Sequence, residues 1–177
     1  MTARPPGVLS PLVKVVAIGG TLLGAAAFII YNHSCESPLR LAYDIPAALA
    51  SYSLPALLLA EAVARARGPA WWGRLVAVAA MTAITVGREF AGWPISGHVT
   101  CVVAVAMIQT VDVRLPRVLQ SLYWVVAVEV VVLRLAAMDD GIVPDWALTL
   151  GLWAGYVIGG ACAAVVVRQH RRNRLAA

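Results

Sequence analysis

Charge is what this sequence has least of. Asp, Glu, Lys and Arg make up 13% of its 177 residues, while 61% are hydrophobic. A soluble globule carries about a quarter of its residues as charges, so this composition and a mean hydropathy of +0.81 exclude a water-soluble protein and place the chain in a bilayer. Cysteine is scarce, and Cys35, Cys101 and Cys162 do not have the spacing of a thiolate metal site. With only three histidines, His33, His98 and His170, imidazole chemistry has few places to occur. No linker, charge block, low-complexity segment or internal repeat divides the chain, and no cleavage site of a signal peptide follows the first apolar run. One helical domain over residues 1–177 is expected.

Apolar runs lie near 13–31, 45–63, 75–88, 98–111, 119–138 and 146–167. At about 1.5 Å per residue each is long enough, or nearly so, for a hydrocarbon core of about 30 Å. The fold class this implies is all-α: a polytopic membrane protein built as a six-transmembrane-helix bundle. The runs at 75–88 and 98–111 are short, which leaves a re-entrant or protein-buried pair open there. Eleven of the 14 basic residues fall on one side of this layout: Arg4, Lys14, Arg65, Arg67, Arg74, Arg114, Arg117, Arg168, Arg171, Arg172 and Arg174. Lys and Arg in short loops stay cytoplasmic, so both termini are expected there, in the plasma membrane or another cytoplasmic membrane. The net charge of +5 then reflects topology and attraction to anionic lipid, and nucleic acid is not an expected partner.

Prolines punctuate the runs: Pro46 is expected to open the second helix, Pro55 to kink it, and Pro94, Pro116 and Pro144 to precede later ones. Gly151, Gly155 and Gly159 recur every four residues on one helical face, where they let another backbone approach. Helix packing is the preferred reading over a lipid groove. That face, or the Gly20 and Gly24 face, is also where a homodimer could form. Cys35 and Cys101 both fall toward the outer side, where a disulfide is an open alternative.

The outer ends collect the chemistry. Ser96-Gly97-His98 stands where a loop enters the fourth run, and a histidine at that depth can exchange protons beside lipid headgroups. Arg88 and Arg134 fall on the same level, and arginine binds phosphate through paired hydrogen bonds. Asp139, Asp140 and Asp145 follow. They read either as a turn and a helix N-cap or as carboxylates that would need Mg²⁺ beside a phosphate; no cofactor is otherwise expected. Glu129 stands mid-helix among valines, where a carboxylate is costly unless paired. Thr82, Thr85, Ser51 and Ser53 are candidate partners for it. Most of the tryptophans and tyrosines suit interface anchoring, with Trp93 a candidate lid over a headgroup.

Ser96-Gly97-His98 with Pro94 before it, Arg88 ten residues earlier and Arg134 at the outer end of the next helix resemble the type 2 phosphatidic acid phosphatase (PAP2) superfamily of membrane lipid phosphatases. The resemblance implies a PAP2-like bundle acting on a lipid or polyprenyl phosphate at the outer face. It implies that Arg88, Ser96, Gly97 and Arg134 bind phosphate and that His98 protonates the leaving group. The pattern departs from the family at Met81, where it has lysine, at Glu89, where it has proline, and at Asp140, where it has the nucleophilic histidine. Asp140 or Asp145 would then supply the remaining catalytic function. Two alternatives stay open: a lipid-phosphate-binding accessory subunit without turnover, and a small ion-coupled transporter using Glu129.

Overall fold

A computed structural model describes residues 38–64, 69–112, 115–139 and 145–175. They form five α-helices: α1 (Pro38–Ala64), α2 (Pro69–Ala91), α3 (Gly97–Thr110), α4 (Arg117–Asp139) and α5 (Asp145–Leu175). The apolar run near 13–31, with Gly20 and Gly24, lies outside the described residues. Pro69 begins α2, where a missing N–H costs nothing because first-turn amides have no helical acceptor. Gly92, at φ +66°, makes the left-handed turn out of α2 that a side chain would resist. Pro46 does not open a helix: α1 starts at Pro38, and both Pro46 and Pro55 lie within it.

The six-transmembrane-helix bundle is not what the chain forms. Among the described residues two helical stretches are long and apolar enough to cross a membrane, Arg117–Ala136 of α4 and Trp146–Arg172 of α5. The apolar parts of α1 (Ala48–Ala62) and α3 (Gly97–Thr110) are shorter. The 14 residues of α3 rise only about 21 Å, less than a bilayer core of about 30 Å. Its apolar character has another cause. Val99, Val102, Ala104, Val105, Ala106 and Ile108 are all 0% exposed, because α3 is the central helix and α1, α2, α4 and α5 all pack on it. A helix apolar on every side is what such a position requires. The 98–111 run is therefore protein-buried, one of the two readings its shortness had left open.

Side-chain pairings fix the directions. Ser51 meets His98 and Glu61 meets Gln109, so α1 runs parallel to α3. Thr85 lies against Gly97 and Arg74 pairs with Asp112, so α2 runs antiparallel. Gln120 Nε2 donates to Asp112 O at 3.1 Å and Trp124 Nε1 to Thr110 Oγ1 at 2.7 Å, so α4 runs antiparallel to α3.

The α5 glycines pack a helix, as their spacing predicted. A Cβ at Gly151, Gly155 or Gly159 would stand 2.8, 2.9 and 2.9 Å from the carbonyl oxygens of Ser96, Thr100 and Ala104. These carbonyls also recur every four residues, so α3 and α5 run parallel with backbones in close contact. Thr100 ties the seam, its Oγ1 donating to Ser96 O at 2.8 Å and lying 3.2 Å from Gly151 O. This glycine face is filled by α3 and is closed to a second copy.

Candidate functional site

Ser96 is the N-cap of α3, with extended backbone and its hydroxyl 3.5 Å from Val99 N. Its own N–H donates to Ala147 O of α5 at 2.9 Å. The Ser96-Gly97 step is thus held between two helices, with Ser96 1% exposed. Gly97 is buried against Thr85, whose Oγ1 would lie 3.1 Å from an added Cβ. His98 follows in the first turn. Its Nδ1 is 3.1 Å from Ser51 Oγ, the Ser51 hydroxyl is 3.4 Å from the His98 carbonyl, and the Tyr52 ring meets the imidazole edge-on at 5.8 Å. A helix N-terminus carries partial positive charge and accepts anions, so the His98 ring stands where a phosphate oxygen would be favoured.

Arg134 reaches the same level from α4. From the Trp124–Thr110 contact, Arg134 is ten residues along α4 and His98 twelve residues back along α3, rises of about 15 and 18 Å. The two side chains therefore stand within about a turn of each other along the bundle axis. Arg134 is 3% exposed, an unusual burial for a guanidinium. Arg88 sits at the end of α2 and donates from Nη1 to Ile95 O at 3.3 Å, holding the loop that carries Ser96 and Gly97. Trp93 folds back with its ring on Gly87, where a Cβ would overlap it, and its N–H donates to Gly87 O at 3.1 Å. That places it against α2.

Asp139 ends α4 and Asp145 begins α5, while Asp140 and His33 lie outside the described residues. No three His, Cys, Asp or Glu side chains converge as a metal site among the described residues. His170 is near the far end of α5. Glu129 is exposed on α4, and none of the hydroxyls considered for it is its partner. Thr82 and Thr85 donate to Val78 O and Met81 O, Ser53 to Ala50 O, and Ser51 serves His98. Cys101 is a free, buried thiol among the described residues, and Cys35 lies outside them.

The sequence reading missed Ser51 as the partner of His98, and it missed the opposite end altogether. There Arg74 and Asp112 form a buried ion pair at 2.7 Å, with side chains 6% and 2% exposed. Gln109, 0% exposed, donates to Glu61 Oε2 at 3.2 Å, and Gln120 donates to the carbonyls of Asp112 and Leu115. Arg74 had counted only as a topological charge, and no spacing linked it to a carboxylate 38 positions later. Comparison with protein-family models, with curated proteins and with solved structures gives no match to this chain.

Proposed function

We propose that this chain is an integral membrane protein that binds a lipid or polyprenyl phosphate and hydrolyses it, a divergent lipid phosphatase whose site motif resembles that of PAP2 enzymes. One observation carries the reading: His98 is pinned by Ser51 at the N-terminus of α3, on the level of the buried Arg134. In this mechanism Arg134 and the α3 amide end hold the phosphate. His98 donates a proton to the departing lipid oxygen. A carboxylate, Asp140 or Asp145, attacks phosphorus, and water then hydrolyses the acyl phosphate. Mg²⁺ would offset the repulsion between these carboxylates and the phosphate.

The orientation follows from the basic end. Arg74, Arg117, Arg168, Arg171 and Arg172 lie at the end of the bundle opposite His98, so retention of basic residues in the cytoplasm turns the site outward. By the same rule Arg4 and Lys14 keep the N-terminus with them.

The test is phosphate release by detergent-solubilised protein from phosphatidic acid, phosphatidylglycerophosphate and polyprenyl mono- and diphosphates, with and without Mg²⁺. His98→Ala is expected to lower release at least about a hundredfold, with an unchanged melting temperature. Ser51→Ala is expected to lower the turnover number about fivefold at constant KM, the worth of one positioning hydrogen bond, and Ser51→Thr to restore it. A protein that releases no phosphate from any of these lipids, yet binds them with an affinity lost in Arg134→Gln, would be a recognition subunit and would refute the phosphatase.

A further inference from the structure

Ser51 is 0% exposed, so its hydroxyl proton needs an acceptor inside the protein. Two polar atoms of His98 face the hydroxyl: the carbonyl oxygen at 3.4 Å and the ring Nδ1 at 3.1 Å. A carbonyl oxygen only accepts, whereas a ring nitrogen of neutral imidazole donates or accepts according to the tautomer. Both contacts are hydrogen bonds in one arrangement alone: Ser51 Oγ donates to His98 O and accepts from Nδ1–H. In the reverse arrangement Oγ would give its proton to Nδ1 and turn a lone pair toward the carbonyl oxygen, acceptor against acceptor in a buried place. Other hydroxyls of the bundle behave as the first arrangement requires. Ser53, Thr82, Thr85, Thr110 and Ser121 each donate to a main-chain carbonyl. Tyr52, the next residue of α1, meets the imidazole edge-on, so two neighbouring side chains hold the ring in this orientation.

We propose that Ser51 selects the tautomer of His98 as well as holding the ring: Nδ1 keeps a proton throughout, and Nε2, on the ring edge turned away from Ser51, is the nitrogen that both gives and recovers a proton at the phosphate. The tautomer rests on the Ser51 geometry, and the work given to Nε2 rests on the phosphatase reading. The hydrogen bond made by one ring nitrogen decides the state of the other, and the cycle then balances on Nε2. As the imidazolium, His98 gives its Nε2 proton to the lipid oxygen while the bond from phosphorus to that oxygen breaks and a carboxylate oxygen bonds to phosphorus. The ring is left neutral, with a lone pair on Nε2 and Nδ1–H still donating to Ser51. In the second step water attacks phosphorus, its proton passes to the Nε2 lone pair, and the bond from phosphorus to the carboxylate oxygen breaks. Inorganic phosphate leaves, and the carboxylate and the imidazolium are restored. Were the other tautomer preferred, the neutral ring would carry its proton on Nε2 and have no lone pair there to take the proton of water.

Nuclear magnetic resonance of the full chain in detergent micelles, labelled with 15N-histidine, reads the tautomer from proton–nitrogen correlations within each ring. Spectra are taken at a pH where the rings are neutral, and the His98→Ala spectrum identifies the His98 signals by their loss. The parent protein is expected to carry the proton on Nδ1. Ser51→Ala is expected to lower the population of that form about fivefold, the same factor expected for its turnover number, because a free histidine side chain prefers the proton on Nε2. Ser51→Thr, which keeps the hydroxyl, is expected to restore both. A loss of packing alone would lower the melting temperature of Ser51→Ala and leave the tautomer where it was. The proposal is overturned if the parent carries the proton on Nε2, if Ser51→Ala leaves the tautomer unchanged, or if the tautomer shifts and turnover does not follow. The spectra need no turnover, so the two readings fail separately. A ring protonated at Nδ1 in a protein that releases no phosphate would refute the phosphatase and the work given to Nε2. A phosphatase with its His98 proton on Nε2 would refute this inference alone.

Discussion

Gly155→Leu is expected to prevent recovery of a folded, monodisperse protein, and Gly160→Ala to leave it intact. The two glycines lie on the same helix, yet their surroundings differ. A Cβ at Gly155 would stand 2.9 Å from Thr100 O and 2.9 Å from Val103 Cβ, while at Gly160 the nearest atom is Met107 Cε at 3.7 Å. Met107 Cε is the far end of a flexible side chain, but Thr100 O belongs to the central helix and cannot swing away. Replacing glycine by alanine in a helix gains up to about 1 kcal/mol of propensity, and overpacking a tight contact costs about 1–3 kcal/mol. At Gly160 only the gain applies, so its melting temperature should hold or rise slightly. At Gly155 alanine is expected to lower the melting temperature by a few degrees. Leucine adds three further carbons where even the first does not fit, which forces α5 off α3. Because α3–α5 is the most extensive helix contact in the bundle, its loss removes the support of the Ser96-Gly97 step as well. Far-UV circular dichroism with heating, beside size exclusion in detergent, distinguishes the three variants. A Gly155→Leu protein that melts like the parent would show that the seam is not close-packed.

The five described helices and their order were legible because hydrophobic runs and prolines mark where regular structure can begin and end. The α5 packing face was legible for a stricter reason: Gly151, Gly155 and Gly159 leave room for little except another backbone. Membrane crossing was not legible to the same degree. The run at 98–111 is as apolar as a span, but burial in protein and burial in lipid demand the same side chains, and only its 14-residue length separates them. Pro46 misled because a proline was read as a boundary, although α1 passes through both Pro46 and Pro55.

At the site, Ser96, Gly97 and His98 could be read as one unit because they are consecutive. Arg134 could be placed on their level because helix direction and rise are regular. Ser51 could not, since it is 47 positions from His98, and in sequence it is one of several hydroxyls on an apolar helix. The mid-helix placement of Glu129 was legible, and its direction was not. Its exposed position depends on the rotation of α4, which the buried faces of Ala127, Val130 and Arg134 determine.

The polar cluster at the other end yields the second large effect. Asp112→Leu is expected to destabilise the protein by about 3–5 kcal/mol, because it strands a buried guanidinium. Arg74 is 5% exposed, and its Nε already has no hydrogen-bond partner, so the 2.7 Å contact from Nη2 to Asp112 Oδ2 is the main compensation for its burial. The double variant Arg74→Met/Asp112→Leu is expected to recover most of the loss, since two apolar side chains of similar volume replace a buried pair with little net cost. If the pair acted only through long-range charge, Arg74→Met and Asp112→Leu would instead cost similar amounts and the double variant would be their sum. Thermal unfolding of the four proteins closes a double-mutant cycle that separates these cases. A coupling of at least about 2 kcal/mol would mean that Arg74 and Asp112 lock α2 to the end of α3. That lock is remote from His98 yet bears on it, because α2 also carries Thr85, the neighbour of Gly97, and Arg88, which holds the Ile95 carbonyl. Loosening it would therefore disturb the candidate site through α2 without touching His98 or Arg134.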